Sequence, residues 1–317
     1  MLADLKKLEQ DTRRDLQQAH REYLALLGQF RKRFISPAIT AEQVYEMRLM
    51  RQEKGAAAIP AGLIWWDSFA GPFRRGNTYI IAGYPGAGKT TLALNLAWSM
   101  AKSGRFVWYY CLELTAEETM EVLAGHITKK AVVSEADWTA AYAEIQATSF
   151  RFYEPTKYLP WEKHLAQIGE TVRREQMEVV FIDNLSFLTR VRSNTFETEN
   201  VASAKLKALA QELNIPIILL HHLRKPNDDQ QEPEPTVHAM RGSGAILADA
   251  SDAFILHHPV DDEDEQSRHP VGYVLSGKPR WGAGGKRYVR LIGNERTYYL
   301  SASSEYIRRA RRGRKYE

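Results

Sequence analysis

From about residue 58 onward, short and almost wholly apolar runs alternate with longer stretches in which apolar residues recur at helical spacing. The runs are Tyr79–Ala82, Phe106–Leu112, Phe150–Tyr153, Val179–Ile182, Ile217–Leu220 and Ala253–Leu256. Runs this short, without strict apolar–polar alternation, predict strands buried on both faces. Helices are predicted between them near 90–103, 116–128, 135–147, 161–176 and 198–213. The alternation predicts an α/β fold, with a mainly parallel sheet covered by helices on both faces. After residue 270 the pattern becomes strand–turn–strand. Gly272–Ser276, Arg287–Ile292 and Thr297–Leu300 predict an antiparallel C-terminal extension of that sheet.

Ahead of this core, Leu2, Leu5, Leu8, Leu16, Tyr23, Leu26, Leu27, Phe30 and Phe34 sit among charges in a helical pattern that Ser36-Pro37 breaks. Thr40-Ala41-Glu42-Gln43 reads as a capping box opening a second helix to about Gln52, followed by a small-residue linker at Gly55–Ile59. Residues 1–57 are therefore expected to form a helical appendage. It has too little apolar surface for a core of its own and should pack on the main domain or on a neighbouring subunit. Residues 58–303 form the main domain and 304–317 a basic tail.

Composition narrows the class. The chain has 317 residues, 44% of them hydrophobic, and one cysteine, Cys111. A single cysteine excludes an internal disulfide framework, and its simplest role is a small buried apolar side chain. No apolar run approaches the roughly 20 residues of a membrane span, and the N-terminus lacks the apolar core of a signal peptide. A cytoplasmic protein is expected. Net charge is only +4, but Arg308, Arg309, Arg311, Arg312, Arg314 and Lys315 concentrate it at the C-terminus. That tail is either a phosphate-binding arm or a solvated end. The acidic run 261–265 reads as a solvated loop, and the proline-rich 230–235 as a mobile one.

The chemistry sits at the ends of the apolar runs, where open α/β sheets bind ligands. Gly83-Tyr84-Pro85-Gly86-Ala87-Gly88-Lys89-Thr90 fits G-x-x-x-x-G-K-[ST] between the strand Thr78–Ala82 and an amphipathic helix beginning Thr91–Ala97. That setting favours a phosphate loop over a chance glycine-rich turn. Backbone N–H groups of Gly83, Pro85–Thr90 and Thr91, proline's excepted, would cradle the phosphates of ATP. Lys89 would reach the β- and γ-phosphates, and the Thr90 hydroxyl would ligate Mg²⁺. Val179–Ile182 closes on Asp183, a second candidate Mg²⁺ ligand. Phe106–Leu112 closes on Glu113, placed to orient the attacking water, or else to cap the next helix, because Thr115–Glu118 resembles a capping box. Ile217–Leu220 closes on His221-His222, of which His222 could touch the γ-phosphate. The pair makes a poor chelate, since neighbours on a strand point to opposite faces. His257-His258 reads as structural, and Gly282–Lys286 as a turn.

Together these residues resemble the ATPase domain of DnaB-type replicative helicases, a RecA-like P-loop NTPase, and most of all the helicase halves of phage primase-helicases and mitochondrial Twinkle. The likeness covers about 58–301. It rests on Ile59-Pro60-Ala61-Gly62, Gly76-Asn77-Thr78, Val180–Asn184, His222-Leu223-Arg224-Lys225-Pro226, Arg241-Gly242-Ser243-Gly244-Ala245 and Lys278-Pro279-Arg280.

The resemblance implies a ring of identical subunits, usually a hexamer, with ATP between subunits. Lys278 and Arg280 would then reach into a neighbour's site; the alternative is two surface cations on a hairpin. It also implies single-stranded DNA contacts from the loop Arg224–Ala245, through Arg224, Lys225, Arg241 and amides at Gly242, Ser243 and Gly244. Arg190 and Arg192 are a second candidate, and solvation is the alternative for each. Relatives carry a folded N-terminal scaffold or a primase. This chain is expected to lack both, with 1–57 supplying a linker helix that grips the adjacent subunit, and with primase or loader partners left open. The leading expectation is an ATP-dependent replicative DNA helicase. The alternatives are a DNA-stimulated ATPase without unwinding and a RecA-like signalling ATPase, which the basic tail speaks against.

Overall fold

The computed structural model describes residues 58–130, 132–155, 159–189, 196–223, 243–257, 271–276 and 287–292, with Ala41, Pro235 and Ala239. In chain order the elements begin with β1 (Ala58–Ile59), α1 (Ile64–Phe69), β2 (Phe73–Arg74), β3 (Thr78–Gly83), α2 (Lys89–Lys102), β4 (Val107–Cys111), α3 (Ala116–Thr128) and α4 (Glu135–Gln146). They continue with β5 (Phe150–Tyr153), α5 (Trp161–Glu175), β6 (Val179–Asp183), α6 (Leu185–Leu188), α7 (Phe196–Leu213) and β7 (Ile217–His222). Last come α8 (Ser243–Asp249), β8 (Asp252–His257), β9 (Val271–Ser276) and β10 (Arg287–Ile292).

The main sheet has the order β10-β9-β8-β3-β7-β6-β4-β5. Six strands, β8 to β5, run parallel; β9 and β10 add antiparallel to the β8 edge. Alternation along each strand decides the layering. Ile81, Tyr109, Phe181, Leu220 and Phe254 point into one core, shared with α2, Trp66 of α1 and Leu123 of α3. Ile80, Tyr110, Ile182, Leu219 and Ile255 point into the other, shared with Ile168 of α5 and Leu206 of α7. Every strand residue from Thr78 to Gly83 is buried, as the unbroken apolar pattern requires.

Three local features differ from the sequence reading. First, α2 is not amphipathic: Leu92 through Trp98 are all buried, because the helix runs between the sheet on one side and α3 on the other. Second, Ala58 and Ile59 are not linker but β1, paired antiparallel with β2. Third, α1 went unread, since six residues carry too little periodicity. Packing rather than propensity holds it. Trp66, fully buried, stacks on Phe73 at 5.7 Å and meets Phe254 at 4.6 Å. The Asp67 carboxylate accepts from the Ala61 and Gly62 N–H groups at 2.8 and 3.0 Å. Thr297–Leu300 and the helices expected in 1–57 lie outside the described residues. No described helix is long and apolar enough to cross a membrane.

Candidate active site

Strands β3, β7, β6 and β4 are neighbours, so their carboxyl ends bring four distant segments together. Gly83 pairs with His222 across β3 and β7, and Asp183 pairs with Cys111 across β6 and β4. The chain then turns at each end. Leu223 N donates to Gly83 O at 3.0 Å, and Glu113 N donates to Asp183 O at 3.0 Å.

The loop 83–90 is built around close approach. A Cβ at Gly83 would lie 2.9 Å from the Leu256 carbonyl oxygen and 3.2 Å from the Ala87 side chain, so only glycine fits. Gly88, at φ 82°, is the N-cap of α2 and has no side chain to offer. The N–H groups of the first turn, including those of Lys89, Thr90 and Thr91, are therefore left for an anion. Lys89 is buried and donates from Nζ to Tyr84 O at 3.0 Å. Burial draws its ammonium below the ordinary lysine value, while the Glu113 and Asp183 carboxylates pull it back. Pro85 and Gly86 are exposed at the loop tip, and Ala87 is buried beneath it.

Asp183 is buried. Its Oδ2 accepts from the Thr90 hydroxyl at 2.7 Å and the Tyr109 hydroxyl at 2.9 Å. Its Oδ1 is buried with no hydrogen-bond partner. Burial pushes the carboxyl up to about 6, against the two hydroxyl bonds that lower it; the Glu113 charge adds to the rise and that of Lys89 opposes it. An oxygen without a donor, beside a threonine hydroxyl, fits a hard divalent cation. Among the described residues no group of three or more His, Cys, Asp or Glu could hold a metal, and one carboxylate beside phosphate oxygens is the usual Mg²⁺ arrangement.

Glu113 does not cap α3. That work falls to Thr115 and Glu118, which form the complete capping box. Glu113 instead lies 3.4 Å from His222 Nε2 and accepts from Asn184 Nδ2. The histidine holds its carboxyl below the ordinary glutamate value, burial opposes this, and Lys89 and Asn184 assist. Asn184 Nδ2 also lies 2.9 Å from His222 Nε2. His221 is buried on the opposite face, and His257 is buried at the end of β8. Cys111 is buried, with its thiol pushed up to about 11 by burial, and so is no nucleophile.

The structure thus gathers Lys89, Thr90, Asp183, Glu113 and His222 at one edge. Ser243 and Gly244 do not lie in a loop, as the sequence suggested, but open α8. The helix-forming run Ala245-Ile246-Leu247-Ala248 extends to them, with Ile246 buried as its anchor. Arg190, Arg192, Arg224, Lys225, Arg241, Gly242, Lys278 and Arg280 lie outside the described residues. The sequence reading missed two polar groups that touch the cluster, Tyr109 and Asn184. Tyr109 hides in an apolar run. Asn184 had a legible signal, a strong N-cap residue directly after a strand-end acid.

The DnaB-like helicase C-terminal domain model matches residues 58–298. The replicative DNA helicase DnaB of Helicobacter pylori is 26% identical over 254 residues, covering 75% of this chain and 52% of that protein. The chain spans about half the length of such curated relatives. Among solved structures, one described as an ATPase domain superposes with a TM-score of 0.66 at 21% identity, covering 81% of this chain and 99% of that one. A DnaB-like replicative helicase, solved in a study of its interactions with primase, gives 0.66 at 20% identity, covering 88% and 71%. These two likenesses share the RecA-like fold of six parallel strands described above. On the extent of the family match, the chain belongs to the DnaB-like helicase C-terminal domain family.

Proposed function

We propose that this chain is the motor of an ATP-dependent replicative DNA helicase, working as a ring of identical subunits on single-stranded DNA. One observation carries the reading. A phosphate loop, a buried acid with a bare oxygen and a carboxylate held at a third strand end meet on four adjacent strands. That is the equipment for splitting a nucleoside triphosphate.

In this reading the α2 N-terminus and the N–H groups of Gly83 and Gly86–Thr91 bind the phosphates of ATP, and Lys89 leaves Tyr84 O for the β- and γ-phosphates. Thr90 and Asp183 hold Mg²⁺, which when bound offsets phosphate charge. Glu113, ionised and held by Asn184, orients a water and takes its proton. His222 faces the γ-phosphate from β7. Lys278 and Arg280 complete the site from the adjacent subunit, stabilising charge on the transferring group. Arg224, Lys225, Arg241, Gly242, Ser243 and Gly244 face the polynucleotide, giving salt-sensitive, sequence-tolerant binding. Residues 1–57, 58–303 and 304–317 serve as appendage, motor and tail of a cytoplasmic protein. Primase or loader contacts are open to the same chain.

The test is ATP hydrolysis and forked-duplex unwinding by the full chain, with and without single-stranded DNA. DNA-stimulated hydrolysis with strand displacement supports the reading. Stimulated hydrolysis without displacement replaces it with a translocating or filament-forming ATPase. Hydrolysis indifferent to DNA at low salt rejects both.

A further inference from the structure

The geometry points to Asn184 as a positioning residue that fixes Glu113 and His222 against each other; the inference rests on the ATPase reading above. Asn184 is fully buried directly after Asp183. Its Oδ1 accepts from Phe187 N at 3.2 Å and so caps α6. That bond fixes which way the amide faces, with oxygen toward the helix and nitrogen toward the site. Nδ2 carries two hydrogens; one goes to Glu113 Oε2, and the other faces His222 Nε2 at 2.9 Å, which accepts it in the tautomer protonated on Nδ1. The amide's hydrogen-bonding groups are then all engaged.

Topology explains why this residue has the task. Glu113 follows β4, Asn184 follows β6 and His222 ends β7, and β6 lies between the other two. Only a side chain from the middle strand can touch both neighbours along a short line. Glu113 Oε2 and His222 Nε2 are 3.4 Å apart. Nε2 either accepts from Asn184 or donates to Glu113, never both at once. Asn184 therefore competes with the carboxylate for the imidazole and holds the three side chains as one unit. Without its donor, Glu113 is free to turn onto His222 and away from the attacking water.

Two variants separate this from the helix cap. Asn184→Asp and Asn184→Ser both keep an oxygen for Phe187 N–H; aspartate removes the donor, and serine replaces the amide NH₂ with a single hydroxyl on a side chain too short to span both neighbours. Single-turnover and steady-state ATP hydrolysis, binding of a fluorescent ADP analogue with Mg²⁺, and thermal melting are measured on the full chain. The positioning role predicts a kcat about 10²-fold lower in both, with ADP-analogue affinity close to wild type; melting serves only to show that each variant is folded at the assay temperature. It also predicts no further loss when either change is added to Glu113→Gln, because the group being positioned is already gone. Wild-type kcat in both variants overturns the inference and leaves the ATPase reading standing. ADP-analogue affinity and kcat falling together assign Asn184 to the cap alone and also overturn it. A wild-type chain that neither binds nor hydrolyses ATP overturns both.

Discussion

The Thr90 hydroxyl donates to Asp183 Oδ2 across 2.7 Å, joining the first turn of α2 to the end of β6 over 93 residues of sequence. The bond occupies one carboxylate oxygen and leaves Oδ1 bare and buried. A buried acid arranged this way is a poor structural element and a good ligand.

Asp183→Asn should raise the melting temperature of nucleotide-free protein while abolishing its Mg²⁺-dependent gain with ADP. The folded-state carboxyl sits near 6, above its ordinary value of 3.8. Between those values the native state binds the proton more tightly than the unfolded state. Stability therefore falls as pH rises through about 4 to 6 and is flat beyond, a loss of order 1–3 kcal/mol. Melting curves across pH 4 to 8 should show this slope in wild type and lack it in the variant.

Lys89→Ala should abolish hydrolysis and weaken nucleotide binding at least tenfold, read by titration with a fluorescent analogue. The ammonium is already desolvated, so its charge acts on phosphate with little screening.

Glu113→Gln should lower kcat by about 10²- to 10⁴-fold and leave nucleotide affinity unchanged, since a glutamine keeps the hydrogen bond to Asn184 but takes no proton. Rapid-quench hydrolysis alongside equilibrium binding checks the split.

Tyr109→Phe removes one of the two hydroxyls on Asp183 Oδ2 without leaving a void in the core. It should cost about 1–3 kcal/mol in chemical denaturation, the range for leaving a buried acceptor short of a donor. Its hydrolysis should fall less than that of Glu113→Gln.

Arg280→Ala, by the resemblance that places Arg280 in a neighbour's site, should keep ATP binding and lose hydrolysis. Mixing it with Lys89→Ala should restore activity at mixed interfaces, measured as ATPase rate against mixing ratio.

The sheet was legible because a strand buried on both faces must read as an unbroken apolar run; Val179–Ile182 and Ile217–Leu220 could be little else. Caps were legible where side chain and spacing agree, as at Thr115 and Glu118. What the sequence hid was set by tertiary contact. Trp66 orders α1 only because Phe73 and Phe254 arrive from elsewhere in the chain. In the site, the motif residues could be read singly, since Lys89 and Thr90 end a glycine loop of fixed spacing and Glu113, Asp183 and His222 follow apolar runs. Their mutual geometry could not, because it depends on β6 lying between β7 and β4. What the Tyr109 hydroxyl and the Asn184 amide nitrogen touch became visible only once that order was known.

The most direct test is unwinding of a forked DNA duplex by wild type and Glu113→Gln at equal concentration, with Mg²⁺ and ATP. The account predicts strand displacement by wild type and none by the variant, although both retain nucleotide. Displacement at the wild-type rate by Glu113→Gln would contradict it.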